Sequence, residues 1–166
     1  MQTQQITQTR LKILLNYDPD TGAFTWRLSR RKCTVGSKAG CLMRHGYITI
    51  RLDDRLYTAH RLAWLHVHGV WPSEQLDHIN KNRSDNRICN LREATNAENA
   101  QNQKRRDNKS GFSGVRKENK KWLAEIKVNY KVTRLGLFET PEEAHAAYLK
   151  AKHELHPFSR GYILPA

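Results

Sequence analysis

Cysteine, acidic residues and long apolar stretches are all scarce in this 166-residue chain, and each scarcity removes a class of protein. Cys33, Cys41 and Cys89 form an odd, scattered set without a Cys-x-x-Cys pair, so neither a disulfide framework nor a four-cysteine zinc site is supported. Idle or buried thiols are the preferred reading, ahead of a Cys33/Cys41 site completed by histidine. No apolar run approaches the roughly 18 residues of a membrane span, and the opening MQTQQITQTR lacks the apolar centre of a signal peptide. The expectation is a cytoplasmic protein with no membrane partner. Asp and Glu number 16 against 29 Lys and Arg, leaving a formal charge of +13 and a pI near 10.0. A field of that sign attracts polyanions and steers them to the surface. The excess runs through the beginning, middle and end of the chain, as expected if every part meets a phosphate backbone.

What is present divides into three segments. Residues 1–75 read as a strand-rich N-terminal region. Leu11, Leu14 and Leu15 suggest a short helix, and YDPDTGAFTWR supplies turn chemistry before an apolar-aromatic strand. GYITIRL and RLYTAH alternate around Asp53-Asp54 as a β-hairpin, and AHRLAWLHVHG then reads as a helix capped by Gly69. Residues 76–106 read as strand, polar loop, strand and helix, with Thr95 and Glu98 placed for a capping box. Residues 110–158 read as three short strands before a helix opened by Thr140, Pro141 and Glu143. The predicted class is a small modular α+β protein.

The chemistry concentrates in the middle segment. Asp77-His78 is followed twelve residues later by Asn90 and twenty-one residues later by Asn99, placing strand, strand and helix residues where a hairpin packed on a helix would gather them. Phosphodiester hydrolysis needs a deprotonated water and positive charge on the phosphate oxygens. A neutral imidazole can take that water's proton, which suits His78. Asp77 and Asn99 offer hard oxygen donors that favour Mg²⁺ or Mn²⁺ and disfavour zinc. Asn90 could hold the useful tautomer of His78 by a hydrogen bond. One geometric condition attaches: neighbours on an ideal strand point to opposite faces, so Asp77 and His78 can share a site only where the strand is distorted or ends. By spacing alone, the same Asn-rich string also fits a polar loop of Asx turns.

At AHRLAW and LDHINKNRSDNRICNLREATNAENAQN, about residues 59–103, the chain resembles the HNH endonuclease family, specifically its phage and intron homing branch. The resemblance implies a ββα-metal finger lodged in the minor groove of double-stranded DNA. His78 would be its general base and Asn90 would orient that base, with Asp77 and Asn99 holding one divalent ion. The third motif position, often His in the wider family, is Asn99, as among homing nickases, which favours Mg²⁺. Residues 110–158 resemble the DNA-binding domain of plant ethylene-response factors through SGVR, WLAEIK and LGLFETPEEAHAAY. That resemblance implies a three-stranded sheet in the major groove, with Arg116, Glu125 and Lys127 at contact positions. Ser113, Glu118 and Lys120 depart from the plant pattern, so the recognised sequence does not carry over.

Further DNA contacts are expected from Arg61, a clamp for the scissile phosphate, from Lys104 and Arg105, and from Arg134 on an exposed strand. Trp26, Trp64, Trp71 and Trp122 are read as core, and His60, His66 and His68 as packing within an apolar helix. The expected activity is Mg²⁺-dependent, site-specific DNA nicking, hydrolysing phosphodiester bonds inside a bacterial host cell. The alternatives are a catalytically inactive DNA-binding regulator or an RNA-binding module, and monomer and homodimer both stay open.

Overall fold

A computed structural model shows an α+β protein and describes residues 5–29, 33–102, 110–128, 131–156 and 158. The chain divides into two compact units, Met1–Thr95 and Asn96–Ala166. In the first, α1 (Gln8–Leu14) starts at Thr7, whose hydroxyl accepts the Arg10 N–H at 3.3 Å. It leads directly into β1 (Leu15–Tyr17), which pairs antiparallel with β2 (Phe24–Trp26). The turn between them is built on Asp18, whose carboxylate accepts from the Asp20 N–H at 2.9 Å and the Thr21 hydroxyl at 2.7 Å.

A second antiparallel sheet runs β3 (Cys41–Leu42), β4 (Ile48–Leu52) and β5 (Arg55–Thr58) in chain order. Asp53 and Asp54, at φ 43° and 62°, make the tight turn expected between β4 and β5. β3 is an addition that the hydrophobic pattern does not mark. α2 (Ala59–His68) ends as expected at Gly69, which sits at φ 79° and donates its N–H to Leu65 O. Leu62, Ala63 and Leu65 of α2 share one core with Leu11, Leu14, Leu15, Ile50, Leu52 and Leu91. Trp26 is buried there, and Trp64 and Trp71 pack against it.

β6 (Gln75–His78) and β7 (Leu91–Ala94) form the antiparallel hairpin of the middle segment, with Asp77 opposite Arg92 and His78 opposite Leu91. Residues 79–90 connect them and close in a 3-10 turn, Ile88–Asn90. Asn90 therefore ends that turn and does not stand on the second strand, as the sequence pattern suggested. Its carbonyl accepts the Ile79 N–H at 2.9 Å, and its side chain is drawn into the loop.

α3 (Asn96–Asn102) opens the second unit. There β8 (Val115–Glu118), β9 (Lys121–Val128) and β10 (Lys131–Phe138) form one antiparallel sheet with β9 central. β9 and β10 are eight residues each, longer than the short strands expected. Val115, Ala124 and Ile126 face α4 (Pro141–Leu155) and meet Ala144, Tyr148 and Ala151. Thr140 and Glu143 form the predicted capping box, with Pro141 in the first turn. The ββα order of the middle segment and the three-stranded sheet plus helix at the C-terminus are thus both present. No helix among the described residues is long and apolar enough to cross a membrane.

Candidate active site

β6 ends at His78, and the strand's burial loses its alternation there: Leu76, Asp77 and His78 are all buried. Pairing with β7 stays regular up to that end, Asp77 opposite Arg92 and His78 opposite Leu91. Their side-chain partners differ. The Asp77 carboxylate bridges to β7, its Oδ2 accepting from Arg92 Nε at 3.1 Å and Nη2 at 2.9 Å. His78 faces Asn86, whose Oδ1 lies 3.5 Å from His78 Nε2, and the rings of Tyr47 and His60. Burial pushes the His78 imidazole below its ordinary pKa, against the opposing pull of Asn86 and the nearby Asp77 and Asp85 carboxylates. A neutral imidazole at physiological pH is the result.

Asn86 presents an acceptor to one nitrogen of the ring. Its amide Nδ2 donates to Ser84 O at 3.2 Å, which turns Oδ1 toward His78. Oδ1 can only accept, so a hydrogen bond between the two needs the ring hydrogen on Nε2, the tautomer in which Nδ1 is the basic nitrogen. Asn86 is itself 1% exposed and is held from the N-terminal hairpin. The Tyr17 hydroxyl donates to Asn86 O at 2.8 Å, and burial pushes the Tyr17 pKa up to about 12. Gly22, at φ 71°, lies so close to the same backbone that an added Cβ would stand 2.6 Å from the Asn86 carbonyl carbon. A side chain at Gly22 would collide with backbone on both sides of the Asn86–Arg87 peptide.

The rest of the 79–90 loop is a relay of asparagines. Asn90 Nδ2 donates to Asn80 Oδ1 at 3.0 Å and to Asp85 O at 2.9 Å, while its Oδ1 accepts the Asn80 N–H at 3.0 Å. Asn82 Oδ1 accepts from Ser84 N at 3.1 Å and Ser84 Oγ at 2.8 Å. Arg87 donates twice to Asp85, at 2.8 and 2.7 Å, and this pairing holds the Asp85 carboxyl down at about 2. Asx-turn structure and a buried imidazole therefore coexist in one loop. Asn90 braces that loop, and the amide beside His78 belongs to Asn86, which the spacing argument did not single out.

The remaining expected residues lie in several places. Asn99 stands half-buried on α3, in the second unit. Arg61, on α2, lies over the Trp71 ring at 5.7 Å from its centroid, and Trp71 stacks on Tyr57. Arg116, Glu125, Lys127 and Arg134 share the face of the C-terminal sheet opposite α4, where Arg116 pairs with Glu118 at 3.2 Å and Glu125 at 3.4 Å. Arg134 reaches the same Glu118 at 3.4 Å. Lys104 and Arg105 lie outside the described residues. Of the helix histidines, His66 packs against Tyr17 and Phe24, His68 is exposed beside Trp64, and His60 is buried against His78. Cys33 is half-buried, whereas Cys41 and Cys89 are exposed.

Residues 57–101 match the HNH endonuclease family, so the chain carries an HNH endonuclease domain that runs from β5 to α3. Nucleases of this family act on DNA and use divalent metal ions. No curated protein and no solved structure matches the chain. Among the described residues, no three His, Cys, Asp or Glu side chains gather into a metal-binding group. Of the two expected donors only Asp77 is one of those types, and it stands in the first unit while Asn99 stands in the second.

Proposed function

We propose that this chain is a Mg²⁺-dependent, or Mn²⁺-dependent, site-specific DNA nickase of the homing type. The observation that carries the reading is His78: an imidazole buried at a strand end, kept neutral by that burial, with one nitrogen turned toward Asn86. Such a group is suited to take a proton from a water aimed at a phosphorus atom. His78 Nδ1 accepts that proton, the water oxygen bonds to phosphorus, and the bond from phosphorus to the 3′ oxygen breaks as that oxygen takes a proton from a second water. The ends left are a 5′-phosphate and a 3′-hydroxyl. Asp77 and Asn99 would hold the cation, whose charge offsets that developing on the phosphate and leaving oxygens. Arg92 keeps the Asp77 carboxylate oriented, and Asn86 keeps the His78 tautomer.

DNA contact is assigned to Arg61, to Lys104 and Arg105, and to the sheet face bearing Arg116, Glu125, Lys127 and Arg134, which resembles an ethylene-response-factor domain. The three segments 1–75, 76–106 and 110–158 then act as scaffold, nuclease and reader. The deciding experiment incubates supercoiled plasmid with the protein and Mg²⁺, with and without a chelator. Open-circle product that vanishes with the chelator is the expected result. DNA binding with no metal-dependent nicking would make the chain an inactive regulator.

A further inference from the structure

His60 lies outside the proton-transfer step described above, yet it is buried, at 8% exposure. Its Nδ1 is buried and has no hydrogen-bond partner among the described residues, and its Nε2 is 3.4 Å from the Thr58 hydroxyl at the start of α2. A buried nitrogen left unpaired costs free energy that an apolar side chain at the same place would not incur. Stability alone does not account for it. The ring's contacts suggest what does: its centroid is 5.1 Å from that of His78 at an interplanar angle of 75°, and 5.2 Å from that of Tyr47. Tyr47 closes the triangle at 5.9 Å from His78.

Each corner of this triangle is anchored elsewhere. His60 is carried by the first turn of α2, where the neighbouring Ala59 and Leu62 are in the core. Tyr47 precedes β4 and lies beneath the Arg83 guanidinium, 5.0 Å from the ring centroid, while Arg83 Nη1 donates to His45 O at 3.1 Å. The 79–90 loop is thereby clipped to the turn between β3 and β4. His78 has two ring neighbours on fixed backbone and one amide at Nε2, and a ring so enclosed has few rotamers to sample.

We infer that His60 is a positioning residue, whose ring, packed with Tyr47 against His78, fixes the imidazole that accepts the water's proton. The inference rests on the nuclease reading for its rate consequence, and its structural part can be measured without cleavage. His60 makes no hydrogen bond to His78, so its influence passes through ring contact, and a different ring should replace it.

The test compares wild type, His60→Ala and His60→Phe in the full chain, using the steady-state nicking rate with Mg²⁺, thermal unfolding, and the side-chain nitrogen signals of His78 in ¹⁵N-histidine protein. In His60→Ala, kcat should fall at least tenfold with KM within threefold, and the His78 signals should broaden or shift toward a tautomer mixture. His60→Phe should recover kcat to within about threefold of wild type, with wild-type-like His78 signals. If His60→Ala does not fold, His60→Gln, which is polar and ringless, takes its place with the same expectation. A folded ringless variant with wild-type kcat and unchanged His78 signals overturns the proposal, as does a folded His60→Phe protein no better than the ringless one. If wild type does not cleave, the nuclease reading fails, and the His78 signals alone then decide the role of His60.

Discussion

The two units place their polar side chains in opposite ways. The first buries His60, Asp77, His78, Asn86 and Asn90, whereas the second, among the described residues, buries only His156. The second instead sets Arg116, Glu118, Glu125 and Arg134 on an open sheet face in ion pairs of 3.2 to 3.4 Å. Burying polar groups costs stability unless each finds a partner, so a cluster of them marks a place where something other than stability is selected. Surface ion pairs cost little and contribute little. The comparison sets a unit that encloses an imidazole against a unit that exposes its charge, and it predicts how each should fail.

Replacing the imidazole should have the largest effect. His78→Ala is expected to lower the nicking rate by about 10²- to 10⁴-fold, the usual contribution of a positioned general base. Binding to the same DNA, measured by gel shift without Mg²⁺, should stay within a few-fold. A loss of binding equal to the loss of rate would move His78 from chemistry to structure and erase the contrast between the units.

The support behind the imidazole comes next. Gly22→Ala forces a Cβ into the Asn86–Arg87 backbone at a positive φ, where backbone strain alone costs about 1–3 kcal/mol. Both unfolding temperature and nicking should drop, since Asn86 cannot keep its place beside His78 if its own backbone moves. Wild-type unfolding in Gly22→Ala would show that the N-terminal hairpin does not brace the loop. Tyr17→Phe removes only the hydroxyl on Asn86 O and should cost about 1 kcal/mol. That hydroxyl also carries a pH signature. The folded pKa of about 12 lies above the unfolded value of roughly 10, so its contribution is complete below about pH 10 and is lost as pH rises toward 12. Alkaline unfolding curves for wild type and Tyr17→Phe should therefore approach and then cross as pH climbs through that window.

The parts of this arrangement legible in the sequence are those written in local chemistry. Gly69 after an apolar helix, Asp53-Asp54 between alternating strands, and Thr140 with Glu143 each announce an element from residues a few positions apart. His78 was legible for a similar reason, standing beside Asp77 at the head of a recognisable string. Asn86 was not. Asn80, Asn82, Asn86 and Asn90 look alike along the chain, and the path of the loop decides which amide faces the imidazole. That path is set by Tyr17, 69 positions earlier, and by the absence of a Cβ at Gly22. His60 fitted an apolar helix by its spacing and does lie in one, but no periodicity could tell that its ring meets His78. Both omissions are long-range contacts, which a window of neighbouring residues does not contain.

The smallest effect should come from the second unit. Arg134 sits on β10 with its guanidinium shared with Glu118, fully at the surface, so Arg134→Ala should leave thermal unfolding unchanged. If the sheet face meets DNA, the same change should weaken binding severalfold, and the slope of log affinity against log salt should fall by about one for a lost phosphate contact. A base contact behaves differently, because its removal relaxes preference at one position of the site and leaves the slope nearly as it was. Measured on specific and random duplexes over a salt series, Arg134→Ala thus distinguishes a phosphate contact from a base contact. An affinity and slope equal to wild type on both duplexes would remove Arg134 from the interface. The Glu118 pair would then be its whole role, and the charged face would be a solvated surface with no DNA against it at that strand.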